Sequence, residues 1–295
     1  MTTFTQTLFN GLALGSVYAL IALGFTLAYK ASGAINFAHG SLLLLGGYLV
    51  AIWHEPLGFY LALAAAAAGT GAAAMLEALL LRKVRRTGST VPTILTIGVD
   101  ILLLTELARR IGGDVLTAGD PWGSRIREFA GITVAEARIY SLLVSVLLVA
   151  VFLAAFHRTR WGLAMRATAI DREAAELMGV RSDRLWMSAW ALAGVLAAVA
   201  AVFLIAFPAP GLDRNTGHIA LAAFPAAVLG GLGSVGGALL GSLVIGMAEA
   251  AAAGYQQQLS SFGSGIADIA PFVVMVLVLI ARPQGLLGSK ESNRV

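Results

Sequence analysis

Residues 8–40 read LFNGLALGSVYALIALGFTLAYKASGAINFAHG, and Leu8–Tyr29 carries no charged side chain. A helix needs roughly 20 mainly apolar residues to cross a bilayer. This run meets that length before the chain reaches Lys30, its first basic residue. A cleaved leader needs a basic segment ahead of its apolar core, so the run is expected to stay in place as a span. Ala31–Gly40 then interrupts the apolar pattern and sets Asn36, Phe37 and His39 between two greasy stretches. Polar groups at such a depth must find partners or water.

The rest of the chain repeats this character. Of 295 residues, 58% are hydrophobic and 12% charged, with a mean hydropathy of +0.84. Soluble domains carry about 25% charged residues, so half of that cannot cover a water-facing surface. Cysteine is absent, which excludes disulfides and thiolate metal sites. Further candidate spans are Ser41–Trp53, Gly58–Leu81, Val91–Ala108, Ile139–Phe156, Trp186–Phe207, Ile219–Leu232, Gly236–Ala253 and Ala267–Ala281. Ser41–Trp53 and Ile219–Leu232 are short for a crossing and are expected to be broken or partly re-entrant helices. The expected fold is all-α, a polytopic transmembrane bundle of eight or nine spans forming a single domain over residues 1–295.

Lys and Arg in short loops set orientation. Lys30, Arg82, Lys83, Arg85, Arg86, Arg282, Lys290, Arg294 and the six arginines of 157–186 fall on one side. Arg109, Arg110, Arg125, Arg127, Arg138 and Arg214 fall on the other. The imbalance places the N-terminus outside and the C-terminus in the cytoplasm. It also accounts for the net charge of +4 without a nucleic-acid partner.

No catalytic or metal constellation emerges. His39, His54, His157 and His218 lie on separate segments, and no GxxxxGK[ST] loop occurs to cradle ATP phosphates. Gly231, Gly233 and Gly236 spell GxGxxG, but apolar runs flank it where a dinucleotide fold needs a strand and a helix. Neither cofactor nor catalytic residue is expected. Gly11/Gly15, Gly233/Gly237 and Gly237/Gly241 have the spacing that lets helices approach closely in lipid. Ala227–Gly241 also reads as a turn between half-helices. Each half of the chain thus has one broken region, as in many transporters. The candidate translocation path is Asn36, Phe37, His39, Gly230, Gly233, Ser234 and Glu249, with Phe224 and Leu229 as apolar lining.

Carboxylates inside spans are few. Glu106 has Arg109 and Arg110 one turn away, and Glu77 is expected to pair similarly with Arg82. Glu249 and Asp268 have no local partner and require an interhelical bond or a wet cavity. The cytoplasmic loop 157–186 is expected to contain a short amphipathic helix, Ala169–Gly179. Thr168 and Asp171 have capping-box spacing, and Ile170, Ala174, Leu177 and Met178 recur on one stripe. Gly179 stands at the stop position. The stripe must dock on the bilayer, on neighbouring spans or on a partner, because so short a helix is marginal alone.

Four stretches together resemble the permease subunits of branched-chain amino-acid ABC importers. They are Asn10–Gly40, RTRWGLAMRATAIDREAAELMGV (158–180), AAVLGGLGSVGGALLGSLVIGMAEA (226–250) and RPQGLLG (282–288). The chain is similar to the shorter of that family's two permease types. The resemblance implies a bacterial inner-membrane protein that pairs with a homologous second permease. It further implies two cytoplasmic ATP-binding subunits, a periplasmic solute-binding protein and an amino-acid substrate. By it, Arg172, Glu173, Ala174, Leu177, Met178 and Gly179 form the coupling helix that meets an ATPase. Related permeases serve urea or short amides, which stands as an alternative. Two other classes remain open at this point: an ATP-independent channel or secondary carrier using Glu249 and Asp268, and an intramembrane enzyme using Ser234 and His218.

Overall fold

The computed structural model describes residues 2–84, 88–122, 125–129, 132–206, 211–258 and 265–288. Arg85, Arg86, Lys290 and Arg294, which contributed to the orientation argument, lie outside these, as does the side chain of His218. The helices are α1 (Thr2–Ser32), α2 (His39–Leu57), α3 (Phe59–Leu81), α4 (Thr90–Ile111), α5 (Glu136–Arg158), α6 (Arg160–Ile170) and α7 (Arg172–Leu177). They continue as α8 (Ser182–Ala206), α9 (Thr216–Ala222), α10 (Phe224–Gly230), α11 (Val235–Gly254) and α12 (Ile266–Ala281). Among the described residues, α1, α3, α4, α5, α8 and α11 are long and apolar enough to cross a membrane.

Helix α1 is the buried pillar of the bundle. Tyr18, Leu20, Ile21, Leu23, Phe25 and Leu27 are all almost wholly enclosed. Its small residues let α11 pass antiparallel at backbone distance. A Cβ on Gly246 would sit 2.4 Å from the Gly15 amide nitrogen, and one on Gly11 would meet Met247 Cα at 2.9 Å. Close approach supplies the dispersion contacts that replace a hydrophobic driving force within lipid. Gly194 of α8 meets the Thr70 carbonyl of α3 in the same way, at 2.5 Å from an added Cβ. In contrast, α4 and α5 keep rows of leucine, isoleucine and valine exposed, including Ile101, Leu102, Leu143 and Leu147. Those rows suit lipid or a second membrane subunit.

Two expectations change here and one holds. Ser41–Trp53, expected to be broken, belongs to one continuous helix, α2, which starts earlier and ends later. The second short segment is broken as expected, into α9 and α10 of seven residues each. The helical class also gains a small antiparallel hairpin, β1 (Ile126–Phe129) with β2 (Ile132–Ala135), pairing Arg127 with Val134. Its base is tied by Glu136, buried at the head of α5, which accepts from Arg127 Nε at 2.7 Å and lies 3.2 Å from Arg125 Nε.

The α1–α11 seam yields a test. Gly246→Val should lower the thermal unfolding midpoint of the detergent-purified chain by several degrees, because overpacking costs about 1–3 kcal/mol. Gly98→Val, where an added Cβ meets nothing within 4 Å, should leave it unchanged in the same melting assay.

Candidate functional site

The two interrupted regions of the sequence meet in space. The break after α1 is made by Gly33, at φ 71°, whose amide closes the helix on the Tyr29 carbonyl at 2.7 Å. Residues 34–38 lie between α1 and α2, and several of their backbone groups are met by side chains, some of them from α4. Thr93 Oγ1 accepts from the Ile35 amide at 3.3 Å, and Thr96 Oγ1 from the Phe37 amide at 3.1 Å. Thr96 Oγ1 also lies within donating distance of the Ile35 carbonyl, 3.2 Å. Asn36, 1% exposed, accepts from the Ala38 amide through Oδ1 at 2.9 Å and donates through Nδ2 to Glu77 Oε2 at 3.2 Å. Unsatisfied backbone groups cost several kcal/mol in hydrocarbon, so these side chains are what permits an interruption at this depth.

Glu77 thereby departs from its expected partner. It is 3% exposed and bound to Asn36, whereas Arg82 reaches Asp183 at the start of α8, 2.6 Å away. Burial decides the difference: Glu77 faces inward on α3, and the i+5 arginine lies beyond it. Glu106 does hold Arg109 and Arg110, at 2.8 and 2.6 Å.

His39 is fully buried, its ring 4.6 Å from that of Phe25 and pressed against Gly24, where no Cβ would fit. Phe224, at the head of α10, lies 5.5 Å from Phe25 and 5.8 Å from Phe37. The first break and the second broken segment therefore share one aromatic cluster. Lower down, Lys30 Nζ donates to the Gly233 carbonyl at 2.8 Å, a direct link from the end of α1 to the α10–α11 turn.

That turn is built as the glycines required, though not all of them pack. Gly231 takes φ 95°, and Ser234 caps α11 by accepting from the Gly237 amide at 3.0 Å. Gly230 and Gly237 press backbone to backbone, as do Gly241 and Ala226. Gly233 is different: an added Cβ would meet nothing within 4 Å, so the Gly233/Gly237 spacing is no packing seam. RPQGLLG (282–288) folds back onto the turn. The Leu286 amide donates to the Leu229 carbonyl at 2.7 Å and the Leu287 amide to the Gly230 carbonyl at 3.2 Å. Glu249 lies apart from this junction, at the other end of α11. It accepts from the Tyr18 hydroxyl at 2.7 Å, the interhelical bond its isolation required.

The 157–186 loop folds as two helices where one was expected. Thr159 caps α6 and Asp171 caps α7, the latter accepting from the Ala174 amide at 3.0 Å. Thr168 and Asp171 therefore form no capping box: Asp171 is itself the cap, and Thr168 bonds back to the Ala164 carbonyl within α6. Gly179 ends α7 at φ 85°, as its position predicts. Ile170, Leu177 and Met178 are 88%, 88% and 86% exposed, so the apolar stripe docks on no neighbouring span. Arg172 points back to its own framework, holding Glu176 at 3.0 Å and Ser182 at 3.1 Å. Among the described residues, no cluster of His, Asp and Glu could hold a metal ion.

A family model described as the permease component of the branched-chain amino acid transport system matches residues 7–281. The chain belongs to this family. It is 34% identical to the high-affinity branched-chain amino acid transport system permease protein LivH of Escherichia coli K12, over 99% of the chain and 98% of that protein. The corresponding BraD of Pseudomonas aeruginosa is also 34% identical, over 99% and 98%. A probable branched-chain amino acid permease, LivH, of Methanocaldococcus jannaschii is 26% identical over 92% and 89%. No solved structure matches the chain at a significant level. Family membership and the six apolar helices make this a multi-pass membrane permease.

In this permease the Asn36–Glu77 bond carries a testable cost. Glu77→Ala leaves the buried Asn36 amide without its partner and should destabilise the protein by about 1–3 kcal/mol. Glu77→Gln keeps an acceptor and should recover most of that loss in denaturant or thermal titration.

Proposed function

We propose that the chain is the membrane permease subunit of an ATP-driven importer that moves branched-chain amino acids across the bacterial inner membrane. Family membership and near full-length likeness to LivH and BraD support the solute class. The chain crosses the membrane nine times, with α9 and α10 as one broken crossing, its N-terminus outside and residues 157–186 in the cytoplasm. The basic side chains of α6, α7 and the segment after α12 favour that orientation. Two cytoplasmic ATPases, a homologous second permease and a periplasmic binding protein complete the machine.

The observation that carries this reading is the undocked stripe of Ile170, Leu177 and Met178 beside Gly179. Exposed apolar side chains at the end of α6 and at the end of the capped α7 invite a partner surface. An ATPase groove is such a surface. Glu173, Ala174, Leu177 and Gly179 meet it, while Arg172 fixes the helix to α8. Movement passed from the docked helix reaches the junction of Asn36, Phe37 and His39 with Gly230, Gly233 and Ser234 through rigid neighbours. A site that binds solute equally in both states would shift nothing, so inward and outward forms must differ in affinity.

Co-purification with ATP-binding subunits, then uptake of labelled leucine into proteoliposomes with and without ATP, tests the reading. Equal uptake without nucleotide would make the chain a channel or secondary carrier. Leu177→Asp should weaken ATPase association at least about tenfold, a loss of ~1.4 kcal/mol or more at a central apolar anchor, with membrane insertion intact. Full stimulation of ATP hydrolysis by loaded binding protein in that variant would remove the docking assignment.

A further inference from the structure

Helix α5 keeps one face outside the bundle from end to end. Tyr140, Leu143, Leu147, Val151, Ala154 and Arg158 recur at three- and four-residue intervals, the spacing of a single helix face, and all are exposed. The opposite face, with Ser145, Phe152 and Phe156, is buried. The exposed face changes character only at its ends. It opens on Tyr140, stacked on Trp122 with ring centroids 5.5 Å apart, runs through aliphatic side chains, and closes on Arg158. At 1.5 Å per residue, Tyr140 and Arg158 stand about 27 Å apart along the axis. The hydrocarbon core of a bilayer is about 30 Å thick, and aromatic and basic side chains mark its edges.

At the closing end the charge is uncompensated. Arg158 ends α5, and Arg160 opens α6 just across Thr159. Both arginines are exposed, and neither side chain has a hydrogen-bond or ion-pair partner among the described residues. From Ala137 to Ile170 the sequence contains no Asp or Glu to supply one. Arginines elsewhere are answered: Arg82 by Asp183, Arg109 and Arg110 by Glu106, Arg172 by Glu176. Arg166, also on α6, turns inward onto the Phe156 carbonyl. The corner itself is firmly placed. Gly162 sits against the Phe156 carbonyl with no room for a Cβ, Met165 is fully buried, and Trp161 donates to Ser188 of α8 at 2.9 Å. Those contacts leave Leu163, one turn from Arg160, 60% exposed.

We propose that the α5–α6 corner binds an acidic phospholipid. Its phosphate lies between the guanidinium groups of Arg158 and Arg160, whose planar forks suit phosphate oxygens. One acyl chain follows Leu147, Val151 and Ala154 along α5, and Leu163 enters the interface beside the headgroup. A net negative headgroup is required, because the corner carries two cations and no anion, while a zwitterionic lipid brings an ammonium of its own. A protein subunit covering this face would need an acid of its own placed against Arg158. A leaflet containing acidic lipid supplies that charge along the whole edge. The inference rests on the proposed orientation, with the Arg158 end of α5 at the cytoplasmic surface, and is independent of which solute is moved.

The test uses the full chain with the subunits that co-purify with it, in nanodiscs of phosphatidylcholine. Phosphatidylglycerol carrying an acyl-chain diazirine is added and photolysed, and labelled peptides are mapped. Label is expected on residues 147–163. Unlabelled phosphatidylglycerol should displace it at least about tenfold better than phosphatidylethanolamine, since each cation near an acidic headgroup is worth about fivefold. Arg158→Gln combined with Arg160→Gln should bring that ratio to about one, whereas the paired lysine substitutions should keep most of it. Arg181→Gln combined with Arg184→Gln removes two exposed charges outside the corner and should leave the ratio unchanged. Equal displacement by the two lipids in the wild type, or an equal fall in the Arg181 and Arg184 variant, would overturn the site. Label missing from α5, the result expected if a second permease covers this face, would overturn it too. So would a glutamine pair that releases the ATPase subunits while keeping the lipid preference, which would assign the arginines to a protein partner. If a variant fails to assemble, the wild-type competition alone decides. The label map reads lipid and not uptake, so failure of the importer reading and failure of this site are separate results.

Discussion

Helix α1 is enclosed on nearly every side, and most of the molecule is organised by what can approach it. Gly11 and Gly15 admit α11 at backbone distance, and Gly24 makes room for the buried ring of His39. Any side chain at these positions would push a neighbouring helix outward, and interiors packed near crystal density pass such displacements on. The same helix ends in the break at Gly33 and reaches the α10–α11 turn through Lys30. One pillar thus touches both irregular regions.

Irregular backbone at membrane depth is possible only where protein replaces water as a hydrogen-bonding partner. Here the replacement comes from separate parts of the chain. Thr93 and Thr96 serve the first break, Asn36 and Glu77 lock it to α3, and the Leu286 and Leu287 amides serve the second. These bonds bridge elements that are distant in sequence, so a shift of the α10–α11 turn is felt at the end of α1. The 157–186 loop approaches the same end of α1: Lys30 Nζ lies 6.0 Å from the centre of the Phe156 ring, just before α6.

Much of this was legible in the residues. Uninterrupted apolar runs specify spans because lipid imposes a length, and Leu8–Tyr29 could scarcely be anything else. The broken segments announced themselves as small and polar residues between such runs, and Gly179 marked a helix end by its own conformational freedom. Pairings one turn apart, such as Glu106 with Arg109, followed from helix periodicity. The division of 158–178 into α6 and α7 was harder to see. Asp171 fits both a capping-box partner and a cap, and only the second use is realised.

What the residue order determined by itself is therefore the medium and the local grammar: a greasy, multi-span chain with two interruptions, no nucleotide-binding loop and a small amphipathic insert. Composition and periodicity suffice for these, since each depends on neighbours within a few turns. Tertiary structure alone decided that Asn36 meets Glu77 and that Tyr18 holds Glu249. Those meetings join residues separated by tens to hundreds of positions. They depend on which helices pack side by side, and no local pattern encodes that.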